Sequence, residues 1–182
     1  NCDIDDVYWF APRTRLFNTD GMLDILKGRP EIVSIGVTRN IPGFGSQIGV
    51  QYSEKEFVRY SYIHCDEDAF ETFGFDILSQ TSDSRYGIWM TPQAQQKCDE
   101  LPGLLEKILD QSRISTTNIA GMIKNYPSEG DRPAANVLTF VLVTPKEQIR
   151  LKELAIKTID DHELARKVIA DAYSEISGEE VT

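Results

Sequence analysis

His64 and Cys65 stand side by side, and an imidazole next to a thiol can generate a nucleophilic thiolate. Both fall in an extended stretch, where neighbouring side chains point to opposite faces, so the two would not meet. A third group to orient the base is not identifiable. The pair therefore reads as a buried thiol beside an edge histidine. His64, Asp66 and Asp68 are spaced like ligands but offer one nitrogen among them, and the second histidine, His162, lies in a helix-start sequence. No metal site is expected from such a donor set. Cys2, Cys65 and Cys98 are odd in number, far apart and without a CxxC pair, which speaks against a disulfide framework and a structural zinc. No other cofactor is expected.

Pro42 to Gly49 is glycine-dense and follows a strand-like run. A phosphate cradle needs a helix N-terminus directly after the loop, and here a second strand follows. The lysine of a P-loop is missing as well. The Gly43–Gly49 stretch reads as a hairpin connection whose bare backbone a ligand could still approach. Asp3 and Asp5 are spaced like the paired aspartates of phosphotransfer sites, but no hydrophobic segment precedes them to bury the pair.

The 182 residues suffice for a core without covalent staples. Lys and Arg total 19 against 29 Asp and Glu, a net charge of -10. No basic run exceeds two residues, so general nucleic-acid binding and docking on an anionic membrane are disfavoured. The longest apolar run, Val137 to Val143, is far too short to span a bilayer. The chain starts at Asn rather than Met, and no signal peptide is legible. Negative charge concentrates between His64 and Asp76, where Asp66, Glu67, Asp68, Glu71 and Asp76 occur without a Lys or Arg.

The elements that position these groups follow from periodicity. Val7 to Phe10 is a short strand, and Met22 to Leu26 a short helix capped by Thr19 or Asp20. Strands follow at Glu31 to Thr38, Gln47 to Tyr52 and Phe57 to Ile63, the last two alternating and joined as a hairpin through Ser53-Glu54-Lys55-Glu56. Asp66 caps a two-turn helix. Phe75 to Ser79 and Tyr86 to Met90 read as a second hairpin. Thr91-Pro92 starts a helix interrupted at Pro102-Gly103, and Ile119 to Ile123 is a short helix followed by a polar loop from Tyr126 to Asn136. Asn136 to Val143 is a central strand. Thr144-Pro145-Lys146-Glu147 fits a capping box for a helix, and Asp160 to Glu163 starts the last one, with Leu164, Ala165, Val168, Ile169, Ala172 and Ile176 on one face.

The expected architecture is one α+β domain over residues 1–182. A mostly antiparallel sheet of about six to seven strands is packed by helices from a helical C-terminal third, residues 145–178. Concentrated negative charge without a catalytic constellation points to a soluble cytoplasmic interaction module, an inhibitor, immunity or antagonist protein rather than an enzyme. It would dock on a basic protein partner through Asp66, Glu67, Asp68, Glu71 and Asp76, with no direct nucleic acid and no membrane. Two alternatives remain: a small-molecule enzyme with acid–base groups at His64, Asp66 and Asp68, and a ligand-sensing domain using the Gly43–Gly49 loop.

Overall fold

A computed structural model describes residues 6–126 and 137–181. Cys2, Asp3, Asp5 and most of the polar 126–136 loop lie outside the described residues.

Strand β1 (Val7–Phe10) precedes helix α1 (Thr19–Lys27). The cap of α1 is Asn18, one residue before the expected Thr19, and its side chain accepts from the Gly21 N–H. Met22, Leu23 and Leu26 turn inward. Strands β2 (Ile32–Arg39), β3 (Ile48–Gln51) and β4 (Phe57–Cys65) follow, with β3 and β4 pairing antiparallel as the hairpin that their alternation predicts. Helix α2 (Glu67–Phe73) is capped by Asp66 and ends at Gly74 in the left-handed conformation, where a Cβ would be strained. Strands β5 (Ile77–Gln80) and β6 (Gly87–Met90) lead to α3 (Pro92–Glu100), capped by Thr91, and to α4 (Leu104–Gln111). The chain continues through β7 (Ile119–Ile123), β8 (Val137–Val143), a 3-10 turn (Lys146–Gln148), β9 (Glu153–Thr158) and α5 (His162–Val181).

The protein is α+β. Among the described residues one sheet of nine strands runs β1-β9-β2-β4-β8-β6-β7-β5, and β3 pairs the N-terminal half of β4, whose C-terminal end pairs β2. It is larger than expected and mixed, because β4 pairs β8 and β6 pairs β7 in parallel. Two stretches expected to be helical supply the extra strands. Ile119 to Ile123 contains Gly121, whose position leaves no room for a side chain: a Cβ there would lie 2.6 Å from the Trp89 ring. A glycine weakens a helix and permits this backbone approach in a sheet. Glu153 to Thr158 lies between β1 and β2 and bonds to both. Leu154, Ala155 and Ile156 are wholly buried there, as in a strand covered on both faces. The C-terminal third is therefore a turn, a strand and one helix. The second expected hairpin does not form either, since β5 pairs β7 while β6 pairs β7 and β8.

Strand alternation sorts the side chains into three cores. Gly36 faces α2, whereas Ile35 and Val37 join Met22, Leu23, Leu154, Val168 and Ile176 under α1 and α5. Ile63 and Cys65 pack with Phe70, Phe73 and Trp89 of the α2 side. Val58 and Tyr60 face the opposite way, with Leu104, Ile108 and Phe140 under α3 and α4. One face of the sheet thus carries α2. The other carries two helical groups, α1 with α5 and α3 with α4.

Candidate functional site: an arginine-lined cleft and a compensated acidic helix

The acidic segment is built as a support for α2. The Asp66 side chain is turned inward, and its Oδ1 accepts from Ala69 N–H at 2.8 Å and from Val37 N–H at 3.1 Å. Burial raises its pKa, while the two backbone N–H bonds pull the other way. Asp66 therefore caps the helix and ties it to β2. Glu67 is half-buried. Glu71 is bound to Arg85 at 2.8 Å, and the same guanidinium lies 5.3 Å above the Phe70 ring. Asp76 lies 3.9 Å from Lys124 and Asp68 lies 4.0 Å from Lys27. The cations that accompany these carboxylates come from α1, from the segment before β6, and from the end of β7, so the local sequence does not display them.

His64 and Cys65 do point to opposite faces. Cys65 is completely buried in the core beneath α2, and burial, with a smaller contribution from Asp66, raises its thiol pKa well above the ordinary value. His64 faces the other side. Its Nε2 lies 2.7 Å from the Thr144 hydroxyl, which itself donates to the Pro145 carbonyl at 3.0 Å. This arrangement assigns the ring proton to Nε2. Burial, and secondarily the Arg39 charge, lowers the His64 pKa to about 4, so the ring is neutral at pH 7. The expected grouping of His64 with Asp66 and Asp68 is not assembled, since Asp66 serves the opposite face.

The Gly43–Gly49 stretch joins β2 to β3. Gly43 has φ of 91°, and the half-exposed Phe44 packs on Trp9 with ring centroids 5.6 Å apart. At another edge, Asp6, Asp160 and His162 place one potential ligand atom each within 4.8 Å of one another. They could offer a cation one nitrogen and two carboxylate oxygens. The His162 Nδ1, however, already bonds to the Tyr8 hydroxyl at 2.7 Å, and the group lies at the surface.

No local sequence signal marks the clefts between the two helical groups. Arg39 and His64 are partners in the short register that joins β2 to β4, and both face the gap. They border a cleft of about 230 Å³ completed by Tyr62, Leu142 and Thr144, by Gln148 and Arg150 after the 3-10 turn, and by Ser112 to Thr116 after α4. No carboxylate lines it. A larger cleft of about 970 Å³ shares Arg39 and Arg150 and adds Arg13, Arg15 and Lys152 with Asp20 and Glu153. Both of its carboxylates are engaged: Asp20 with Lys152 at 3.2 Å, and Glu153 accepting from the Asn40 N–H at 2.6 Å. The absence of long basic runs is true of the sequence and misleading for the surface, because the topology gathers arginines from distant segments.

No family model and no curated protein matches the chain. Solved structures do resemble it. The extracellular domain of the noncanonic ABC-type transporter YknZ from Gram-positive bacteria aligns with a TM-score of 0.53 over 94% of this chain and 93% of that one, at 8% identity. A domain of a "putative Permease protein" from Porphyromonas gingivalis aligns with a TM-score of 0.44 over 76% and 67%, at 12% identity. The likeness to the first is one of fold, and it runs end to end. It overturns the reading of an inhibitor, immunity or antagonist protein and the cytoplasmic placement, because that fold is carried by an extracellular transporter domain. The physical reason for the error is that net negative charge favours solubility of any exposed domain and says nothing about fold. Among the described residues no helix is long and apolar enough to cross a membrane.

Proposed function

We propose that this chain is an extracytoplasmic domain of an ABC-type transporter, associated with the membrane through the permease assembly it serves. The observation that carries this reading is the fold shared with the YknZ extracellular domain across nearly the whole of both chains. A common substructure would have aligned over a fraction of either. The described thiols are compatible with an oxidising exterior. Cys65 is inaccessible, and the half-buried Cys98 has its pKa pushed up to about 11 by burial, with Asp99 and Glu106 adding to it. Neither thiol supplies appreciable thiolate at neutral pH, and thiolate is the reactive form. The membrane enters this reading as the place where the domain works, which revises the expectation of no membrane.

The test is made on the full-length protein in its own host. Ser82→Cys, at an exposed turn, is placed in a Cys2→Ser background and treated with a membrane-impermeant maleimide while the cytoplasmic membrane is intact. Labelling before lysis is expected, and labelling only after lysis overturns the location. Detergent-solubilised membranes should yield the chain together with an ATP-hydrolysing subunit. Its absence from a labelled, membrane-extracted preparation overturns the transporter assignment.

A further inference from the structure

From the smaller cleft we infer a binding site for a phosphate-bearing anion, held by Arg39, Arg113 and Arg150 at the carboxyl ends of the parallel strands β4 and β8. The inference is independent of the transporter reading. Arg39, Arg113 and Arg150 line one cleft of about 230 Å³, and no Asp or Glu is among its lining residues. None of the three forms an ion pair among the described residues, whereas Arg29 and Arg85 are each paired with a glutamate. Like charges gathered at a surface cleft repel one another, and an anion relieves that repulsion.

The backbone around the arginines is unusual in the same place. Three non-glycine residues among those described have positive φ: Asn40 at 70°, Arg113 at 57° and Leu151 at 54°. One is an arginine of the cleft and each of the others directly follows one. Arg113 occupies the position after the end of α4 where the Ile114 N–H reaches back to the Leu109 carbonyl at 2.8 Å. Glycine is the usual residue at such a helix end. Here the sequence holds an arginine in a glycine conformation, and local strain of this kind collects at functional sites.

The donor set selects the ligand class. Each guanidinium presents a planar fork that can engage two oxygens. A carboxylate has only two oxygens to offer three forks. A phosphate monoester offers three terminal oxygens and a charge near -2. Ser115, Thr116 and Gln148 also border the cleft and can donate or accept at its rim. His64 also borders the cleft and is neutral at pH 7, so the positive charge there is carried by the arginines. The phosphate could arrive on a soluble metabolite or on a lipid headgroup, and the two sources share this chemistry.

The test uses the intact chain and two probes at matched ionic strength. Inorganic phosphate is titrated by calorimetry, and co-sedimentation is measured with vesicles of phosphatidic acid, whose headgroup is a phosphate monoester, in phosphatidylcholine against phosphatidylcholine alone. Saturable phosphate binding weakened at least tenfold by Arg113→Gln or Arg150→Gln, and unchanged by Arg59→Gln outside the cleft, supports the site with a soluble source. Binding to anionic vesicles alone, with the same pattern among the variants, supports it with a headgroup source. No saturable binding to either probe overturns the inference, as does binding weakened equally by Arg59→Gln. Circular dichroism of each variant confirms that the fold is retained before its affinity is read.

Discussion

Asp66 shows how a single side chain can be mistaken for surface. Its carboxylate serves two backbone donors, one in its own helix and one in β2, and both need an acceptor oxygen rather than a charge. Asp66→Asn retains that oxygen and should leave stability near wild type, since it also removes the cost of burying a charge. Asp66→Ala strands the Val37 and Ala69 N–H groups and should cost about 1–2 kcal/mol. Urea unfolding of the two variants checks this; an equal loss in both would mean that the negative charge itself is required. His64 makes a pH-dependent contribution whose sign follows from its surroundings. Its folded-state pKa is lowered from 6.5 to about 4, so the unfolded chain takes up a proton first as pH falls. The stability contribution is complete above about pH 6.5 and is lost as pH drops from there toward 4. A tenfold change in proton affinity is worth about 1.4 kcal/mol. With allowance for partial solvent access, moving from pH 7 to pH 5 should destabilise the protein by about 1–2 kcal/mol through this residue. His64→Gln should lose that portion of the decline when unfolding free energies are compared at the two pH values.

At the scale of elements, what the sequence discloses is whatever short-range chemistry decides. The Asp66 and Thr91 caps, the proline at the start of α3 and the β3–β4 hairpin all depend on neighbours within a few residues. Each is where local reading placed it. The apolar run of β8 and the stripe of α5 were equally legible, because continuous and three-to-four spacing are distinctive over that length. β9 was not. Its apolar residues suit either a helix or a doubly covered strand, and the choice is made by β1 and β2, which need a partner between them. Tertiary pairing overrode the local capping signal at Thr144, whose hydroxyl instead meets His64 and the Pro145 carbonyl. The site follows the same division. A run of acids is visible in the sequence, but the Arg85, Lys124 and Lys27 that accompany it are not. Arg39, Arg113 and Arg150 leave no trace as a group, since only the sheet order and the helix ends bring them to one cleft.

At the scale of the whole molecule, the sheet has two halves that meet at a narrow joint. One half is β1, β9 and β2 with α1 and α5; the other runs from β4 through β8, β6 and β7 to β5. Direct register between β2 and β4 is confined to Thr38 with Cys65 and Arg39 with His64. The joint is extended by the Asp66 N–H donating to the Val37 carbonyl at 2.9 Å and by α2, which lies over it against β2. Gly36 makes that seating possible, because a Cβ there would lie 2.5 Å from the Ala69 Cα in the helix backbone. Backbone cannot yield as a flexible side chain can, so Gly36→Ala must lift α2 from β2 and loosen the joint, at a cost of about 1–3 kcal/mol. Each half contains one tryptophan: Trp9 in β1, partly exposed, and Trp89 in β6, fully buried. Chains with a single tryptophan, made by Trp89→Phe or Trp9→Phe, therefore report the halves separately. With Gly36 in place, fluorescence and far-ultraviolet circular dichroism within each chain should give coincident urea transitions. In the Gly36→Ala background the fluorescence midpoint should separate from that of circular dichroism, because the two cores then lose their shared helix. Coincident transitions in the Gly36→Ala background would show that the halves are coupled by something other than α2.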